Sequence, residues 1–521
     1  MQNKIVSSKS HKESHKTVPR EKPYLFNPKL KFRSERKEIF KLLKAQKKQL
    51  LNMTFFFQTY SEPYNKMLVQ LCDKYPRNLH WLKCLSFQEG YSTKLAIKNI
   101  LRIRKCLQTA QSLTSLEISG STLNQVRTLA PVLRGLKKLE VLSLDLRNFT
   151  GNPFGNKFFS SVKALKGLRE IRFDVQPREK LPPGTFEKLN AGLSRLKTLN
   201  SISFDFSGLH LSDKQELFFD FRVLKSLSAL ALILSRVEGL DDKFVGNIAQ
   251  SLKQVPKLEK LGINLYYSPQ IANKGVEVLS SSLPLDLKSL KINLGSCEQV
   301  KEEGIQSLFC SIGKMTSLED LSLWISSRNH MTNEGLLDLN LCLSGLKRLK
   351  SFEMSFMNMS GDIEIHDLAF DEFLCALASK TALKNLVLHF PSSGTHMIDD
   401  KRLEKFGNAL VSLERIEKLE LIFRWHSFDD AALELFSEKL KSFEKLKTLS
   451  LDFSHSWRDH KAKMLERFIK NLEKMKDLRK ATLNFEYCHS LDMEEVDKIL
   501  PNPKSLNFEL SVLYENTMYL S

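Results

Sequence analysis

The chain is 521 residues long, 42% hydrophobic and 27% charged, with 34 Phe but only 21 Gly and 16 Pro, which excludes collagen-like, low-complexity and wholly disordered classes. No apolar run reaches the roughly 18 residues of a membrane helix, and the 8 cysteines are scattered without a CxxC pair, so neither a membrane span nor a disulfide framework is expected. The formal net charge is +19, and residues 1–50 hold 15 Lys/Arg against 4 Glu, so that leader carries +11 of it.

Residues 1–33 read as a basic disordered tail, and they lack the apolar segment of a secretory signal. Lys29, Lys31, Arg33, Arg36 and Lys37 form a cluster suited to a polyanion such as a phosphate backbone, an acidic protein or anionic lipid, or to nuclear import. Only Tyr24, Phe26 and Phe32 interleave with these charges, which is sparse for nucleobase stacking, and a solvated tail with no dedicated partner is an equal reading. The stretch SERKEIFKLLKAQKKQLLNMTFFFQTY, 34–60, reads as a helix with Ser34 as its N-cap. Residues 34–80 are expected to form an α-helical cap over the open end of a stacked fold. A separate partner-binding helix is the other reading. An F-box-like adaptor is disfavoured because no Leu-Pro-x-Glu opening is present.

From residue 81 to 510 one string keeps returning: LKKLEVLSLDL at 136, LKTLNSISFDF at 196, LKSLSALALIL at 224, LKTLSLDF at 446. Aligned on the third apolar position, the copies fall at Leu142, Ile171, Ile202, Leu230, Leu261, Leu290, Leu321, Phe352, Leu386, Leu421, Leu449 and Ala481, at intervals of 28 to 35 residues. A period near 30 marks a solenoid. Within each copy the alternation of two, as in Leu449, Leu451 and Phe453, sends every second side chain to one face of a strand. Between copies the spacing is helical: Phe244, Ile248, Leu252 and Val255 share a face, as do Ile305, Leu308, Ile312 and Met315. Residues 511–521 are left as a C-terminal tail.

This pattern resembles the leucine-rich repeat family, and ANKGVEVLSSSL at 272, KEEGIQSLFCSI at 301 and TNEGLLDLNLCL at 332 resemble the helix starts of its ribonuclease-inhibitor-like type. The resemblance implies an α/β fold: a curved horseshoe with a parallel sheet on the concave face and helices on the convex face. One departure stands out. The position after the strand that is usually Asn in the family is Arg147, Gln176, Ser207, Ser235, Tyr266, Gly295 or Ser326, and each strand instead gains a further apolar residue.

Chemistry-bearing motifs are missing. No HExxH, phosphate-binding GxxxxGK[ST], dinucleotide loop or GxSxG elbow occurs. The tightest His pair, in HSWRDH at 455–460, has a spacing of five, which does not suit one helical face, so no metal site is expected. Cys310 and Cys375 are expected in the core. No catalytic residue and no cofactor is assigned. The candidate surface is the concave sheet face, where one column reads Asp145, Asp174, Asp205, Ile233, Asn264, Asn293, Trp324, Ser355, His389, Arg424, Asp452 and Asn484. Stacked Asp145, Asp174 and Asp205 repel by about 1 to 3 kcal/mol per pair, which Arg172 or a basic ligand would relieve. Trp324 occupies a place where nothing in the repeat needs an aromatic ring. The plain alternative is that these positions drift on a solvated sheet. Asp145, Arg172, Asp174, Asp205, Asn264, Asn293, Trp324, His389 and Arg424 are therefore the candidate partner-binding residues of a non-enzymatic protein–protein scaffold or adaptor. Such a protein would be intracellular, cytoplasmic or nuclear, and a monomer or part of a complex. An RNA- or ribonucleoprotein-associated factor using the basic tail is the first alternative. A small-GTPase regulator, which the family resemblance allows, is the second.

Overall fold

The computed structural model of the protein describes residues 52–57, 84–89, 104, 107–108, 110–118, 130–145, 161–175, 184–210, 219–325, 332–356, 365–390, 398–456, 460–488, 493–500 and 506–513. Within them sixteen strands form one open, all-parallel sheet whose spatial order is the order of the sequence. They are β1 (Asn52–Phe57), β2 (Cys84–Glu89), β3 (Ser115–Ile118), β4 (Val141–Asp145), β5 (Glu170–Asp174), β6 (Ser201–Asp205), β7 (Ala229–Ile233) and β8 (Lys260–Asn264). The run continues with β9 (Ser289–Asn293), β10 (Asp320–Trp324), β11 (Ser351–Ser355), β12 (Asn385–His389), β13 (Lys418–Ile422), β14 (Thr448–Asp452), β15 (Lys480–Asn484) and β16 (Glu509–Leu513). The described helices are α1 (Thr185–Leu193), α2 (Asp242–Leu252), α3 (Asn273–Ser280), α4 (Glu302–Ile312), α5 (Asn333–Gly345), α6 (Asp367–Ala378), α7 (Asp400–Val411), α8 (Asp430–Leu440), α9 (Ala462–Leu472) and α10 (Met493–Ile499). Parallel neighbours need a crossover, and between β5 and β6 and from β7 to β16 the described helices supply it. The protein is thus an α/β solenoid of the leucine-rich repeat type.

The alternation seen in the sequence becomes burial. In β4 to β15 the second and fourth residues are buried, and they join the apolar helix faces in a core that runs from Leu107 to Phe508. One further inward position follows each of β5 to β15, and there the residues Phe356, Phe390, Phe423, Phe453 and Phe485 stack in sequence at centroid distances of 5.3, 5.6, 5.6 and 5.4 Å. Their backbone N–H groups carry the ladder one residue past the strand; that of Phe423, for example, donates to the carbonyl of Asp452 at 2.7 Å.

A second ladder runs along the helix starts. The first-turn side chain of one helix accepts from the backbone N–H that opens the next: Asp242 from Ala272 at 2.8 Å, Asn273 from Lys301 at 2.6 Å, Asn333 from His366 at 2.7 Å, Asp400 from Asp429 at 2.9 Å. This explains the glycines of the NKG and EEG strings. A Cβ at Gly275 would run into the carboxylate of Asp242, and one at Gly304 would sit 2.8 Å from Oδ1 of Asn273.

Four expectations need correction. Asn52–Phe57, inside the expected helical cap, is strand β1 and pairs in parallel with β2; its Thr and Phe residues favour a pleated surface. The remainder of 34–80, and the tail with Lys29, Lys31, Arg33, Arg36 and Lys37, lie outside the described residues. At the other end β16 carries the sheet to Leu513, past residue 510. In the tenth aligned copy, Leu419 rather than Leu421 pairs with Leu386, so Ile422 stands in the column given to Arg424. A slip of two keeps the same face inward, so alternation alone does not detect it. Finally, Cys310 and Cys375 are exposed. Around Cys310 it is Leu308, Phe309 and Ile312 that take the inner face of α4. Cys297 and Cys488 are buried, and burial pushes each thiol up to about 11.

Phe423 touches the rings of Phe390, Phe406, Phe428, Phe436 and Phe453. Phe423→Ala should lower stability by about 3 to 5 kcal/mol in denaturant unfolding; a loss under about 1 kcal/mol would contradict the spine. Gly275→Ala should destabilise by about 1 to 3 kcal/mol through loss of the Asp242 bond. Gly246→Ala, with nothing within 4 Å of the new methyl, should gain about 0.5 to 1 kcal/mol from helix propensity.

Candidate functional site

In β4 to β15 the first, third and fifth residues of the strand face away from the buried core, onto the open side of the sheet. Pairing places Asp145, Asp174 and Asp205 side by side on β4, β5 and β6, as the sequence implied. Arg172 does not bridge them; its guanidinium pairs with Glu170 at 2.5 Å.

The fifth position proves to have a structural duty. Asp205 accepts from the backbone N–H of Ser207 at 2.9 Å, Asn264 from that of Tyr266 at 3.0 Å, Asn293 from that of Gly295 at 2.9 Å, and Asp452 from that of Ser454 at 3.0 Å. Each is an Asx turn that ends the strand. The turn donors are met from the strand end, which removes the need for the family's usual Asn further on. Asp205, Asn264 and Asn293 therefore have a reason to be present without any ligand.

Trp324 and His389 lack that explanation. They stand two strands apart with Ser355 between them. The indole and imidazole meet edge to face over this serine, with centroids 5.4 Å apart. The indole N–H donates to Glu353 at 2.8 Å, which fixes the ring. Ser355 is fully buried, and neither its hydroxyl nor Nε2 of His389 finds a hydrogen-bond partner among the described residues. Burial holds the His389 pKa below the usual histidine range, and Arg424 pushes the same way, against Glu420, Glu353 and Asp452. Arg424, although displaced from its expected column, stays beside the site and pairs with the nearly buried Asp452 at 2.7 Å. Ser355 and Asp452 stood in the sequence column but were not singled out, and Glu353, two residues before Ser355 on the same face, was not considered; a Glu one strand from a lone Trp was the readable signal.

The two histidines of HSWRDH part company. His455 stacks on Trp425 and Tyr487. His460 is buried, with Nδ1 at 3.0 Å from Asp430 and Nε2 at 3.0 Å from the hydroxyl of Ser456. That Ser–His–Asp line has the connectivity of a nucleophile and its base. Ser456 and His460 are only 1% and 2% exposed, however, so the line serves to join the start of α8 to the next repeat. Among the described residues no group of three or more His, Cys, Asp or Glu is placed to hold a metal, and no helix is long and apolar enough to cross a membrane.

No protein-family model matches the chain, and no curated protein matches it. Among solved structures, one similar chain comes from the crystal structure of the Rad7 and Elc1 complex in yeast, at 15% identity and a TM-score of 0.39, covering 92% of each chain. The leucine-rich-repeat-type architecture stands on the sixteen-stranded parallel sheet and its returning helices.

Proposed function

We propose that the protein is a non-enzymatic scaffold or adaptor that holds a protein partner on the open face of its sheet, centred on Trp324 and His389. The observation that carries this reading is the ring pair closed over Ser355. A large, half-buried ring, oriented by its own hydrogen bond to Glu353, stands on the open face of the sheet, and such a ring is typical of interface anchors. The repeat itself does not require it, since the same column holds Asn or Asp where the strand only has to end. The full α-helical return in repeat after repeat supports the ribonuclease-inhibitor-like type. The five free cysteines among the described residues support a reducing compartment, cytoplasmic or nuclear. A second reading has one specific observation in its favour: the +11 charge of residues 1–50, with Lys29, Lys31, Arg33, Arg36 and Lys37, suits a polyanion such as RNA.

Affinity capture followed by mass spectrometry, on the wild type and on Trp324→Ala, tests the first reading. Partners specific to the wild type should lose about tenfold or more in affinity on Trp324→Ala. Asn264→Ala and Asn293→Ala should each lower stability by about 1 kcal/mol through loss of a turn bond and leave capture intact. Capture that ignores Trp324→Ala but disappears as salt rises from about 50 to 200 mM would instead favour the polyanion reading.

A further inference from the structure

Each strand from β4 to β7 is entered through the same turn. Two buried leucines three residues apart pin it: Leu136 and Leu139 before β4, Leu165 and Leu168 before β5, Leu196 and Leu199 before β6, Leu224 and Leu227 before β7. In each turn the N–H of the second leucine donates to the carbonyl of the first, at 3.0 or 3.1 Å. The residue after the first leucine is exposed, and in these four repeats it is Lys137, Lys166, Lys197 and Lys225. The turn does not require lysine there. Pro256, Thr316, Glu414 and Glu444 hold the same place before β8, β10, β13 and β14, and lysine returns only singly, at Lys347 and Lys476.

The four lysines stand in one row. The ladder reaches into the turns, where the N–H of Arg169 donates to the carbonyl of Glu140, that of Asn200 to Arg169 and that of Ser228 to Asn200, each at 2.8 Å. The turns are therefore in register, and the lysines follow one another at about the 4.8 Å of the strands. Like charges at that spacing repel. Among the described residues no carboxylate pairs with Lys137, Lys166 or Lys197, and Lys225 reaches only the carbonyl of Gln254, at 3.2 Å. The flanking Arg169 and Arg222 are paired, with Glu140 and Asp220. Later repeats neutralise this edge across neighbours, Glu259 with Lys288 and Glu319 with Lys350.

The seven residues before each of the four strands together hold ten Lys/Arg and one Glu, a net +9 in 28 residues. Residues 51–521 as a whole carry +8, so all the rest of them is slightly acidic. The carboxylates of the same repeats stand at the far ends of the strands, as Asp145, Asp174 and Asp205. Charge that could have been paired is thus kept apart.

The row selects its occupant. No aromatic residue lies among the 28, so bases have nothing to stack on and the partner is held by charge. An extended acidic peptide turns a side chain to one face only about every 6.8 Å, too sparsely for this spacing. A phosphodiester chain carries a charge on every unit and bends at every unit, whereas in a duplex the backbone winds away from a straight row. We propose that the entry edge of β4 to β7 binds a single nucleic-acid strand through its phosphates, without regard to base sequence, along Lys137, Lys166, Lys197 and Lys225 with Lys138 and Arg195 beside them. The leader of residues 1–50, at +11, is repelled by this edge. The inference rests neither on that leader nor on Trp324.

Fluorescence anisotropy on the full-length chain, with a labelled oligouridine titrated at several salt concentrations, tests it. The edge variant combines Lys137→Gln, Lys166→Gln, Lys197→Gln and Lys225→Gln; a control combines Lys314→Gln, Lys445→Gln, Lys474→Gln and Lys476→Gln, which removes equal charge elsewhere. Both are repeated with Lys29, Lys31, Arg33, Arg36 and Lys37 changed to Gln, so that the leader's share is separated. In either background the edge variant should weaken binding at least about tenfold at low salt and make the slope of log K against log salt shallower by about 2 to 3, at unchanged thermal stability. The control should change the slope by less than about 1, and an oligodeoxythymidine should bind like the oligouridine. An edge variant that matches the control, or that has no effect once the leader is neutralised, would overturn the proposal. So would tighter edge-dependent binding of a polyglutamate peptide, an RNA hairpin or phosphatidylserine vesicles, or a dimer that dissociates in the edge variant, which would make the occupant the Asp column of a second copy.

Discussion

A parallel strand leaves its donors and acceptors to be met by strands about 4.8 Å away on either side, and in this chain every such neighbour is the adjacent repeat. That single constraint propagates. The spine phenylalanines must recur at the same offset so that each ring meets the next, and their spacing stays within 5.3 to 5.6 Å over five repeats. The helix starts must recur too, because Asp400 meets the backbone of Asp429 only if α7 and α8 begin in step. Strand ladder, ring spine and helix-start ladder are thus three records of one register. No repeat holds its own fold; each is completed by the unit that follows it.

This register made much of the architecture legible. Alternation by two identified the inward faces of the strands, and NKG at 273 and EEG at 302 located helix starts that the structure places at Asn273 and Glu302. The failures have physical causes. A shift of two residues leaves a strand's faces unchanged, so Leu419 and Leu421 were indistinguishable until pairing with Leu386 chose between them. Helical periodicity over 34–60 was read through NMTFFF, whose local preference is for a strand. Cys310 was assigned inward because it falls within an apolar helical stretch, although Phe309 beside it takes the core.

The site was less legible than the fold, for a related reason. A column of Asp and Asn on a sheet face looks like recognition surface, because a sequence shows charge and hides hydrogen bonds to the backbone. Once Asn264 and Asn293 are seen capping turns, the column separates into residues that terminate strands and residues that do not. Trp324 and His389 belong to the second group, and their contact spans two strands, a relation that only the register exposes.

The two edges of the sheet explain where such residues can collect. Along the upstream edge, just before the strands, opposite charges pair between repeats: Glu259 with Lys288 at 2.6 Å, Glu319 with Lys350 at 2.8 Å, and Glu417 with both Lys384 at 3.1 Å and Lys447 at 2.5 Å. Hydrogen bonds from Lys447 and Lys384 hold the Glu417 carboxyl down to about 2. Exposed pairs of this kind add little stability. The turn edge is built differently. Its donors are already satisfied by strand-end Asp and Asn and by the next repeat's backbone, as when the N–H of His455 donates to the carbonyl of Glu486 at 2.9 Å. The side chains at the turns are therefore released from holding the register. Rings such as Trp425, His455 and Tyr487 can stand on that edge because the register does not depend on them, although the left-handed turn position they hold would suit glycine better.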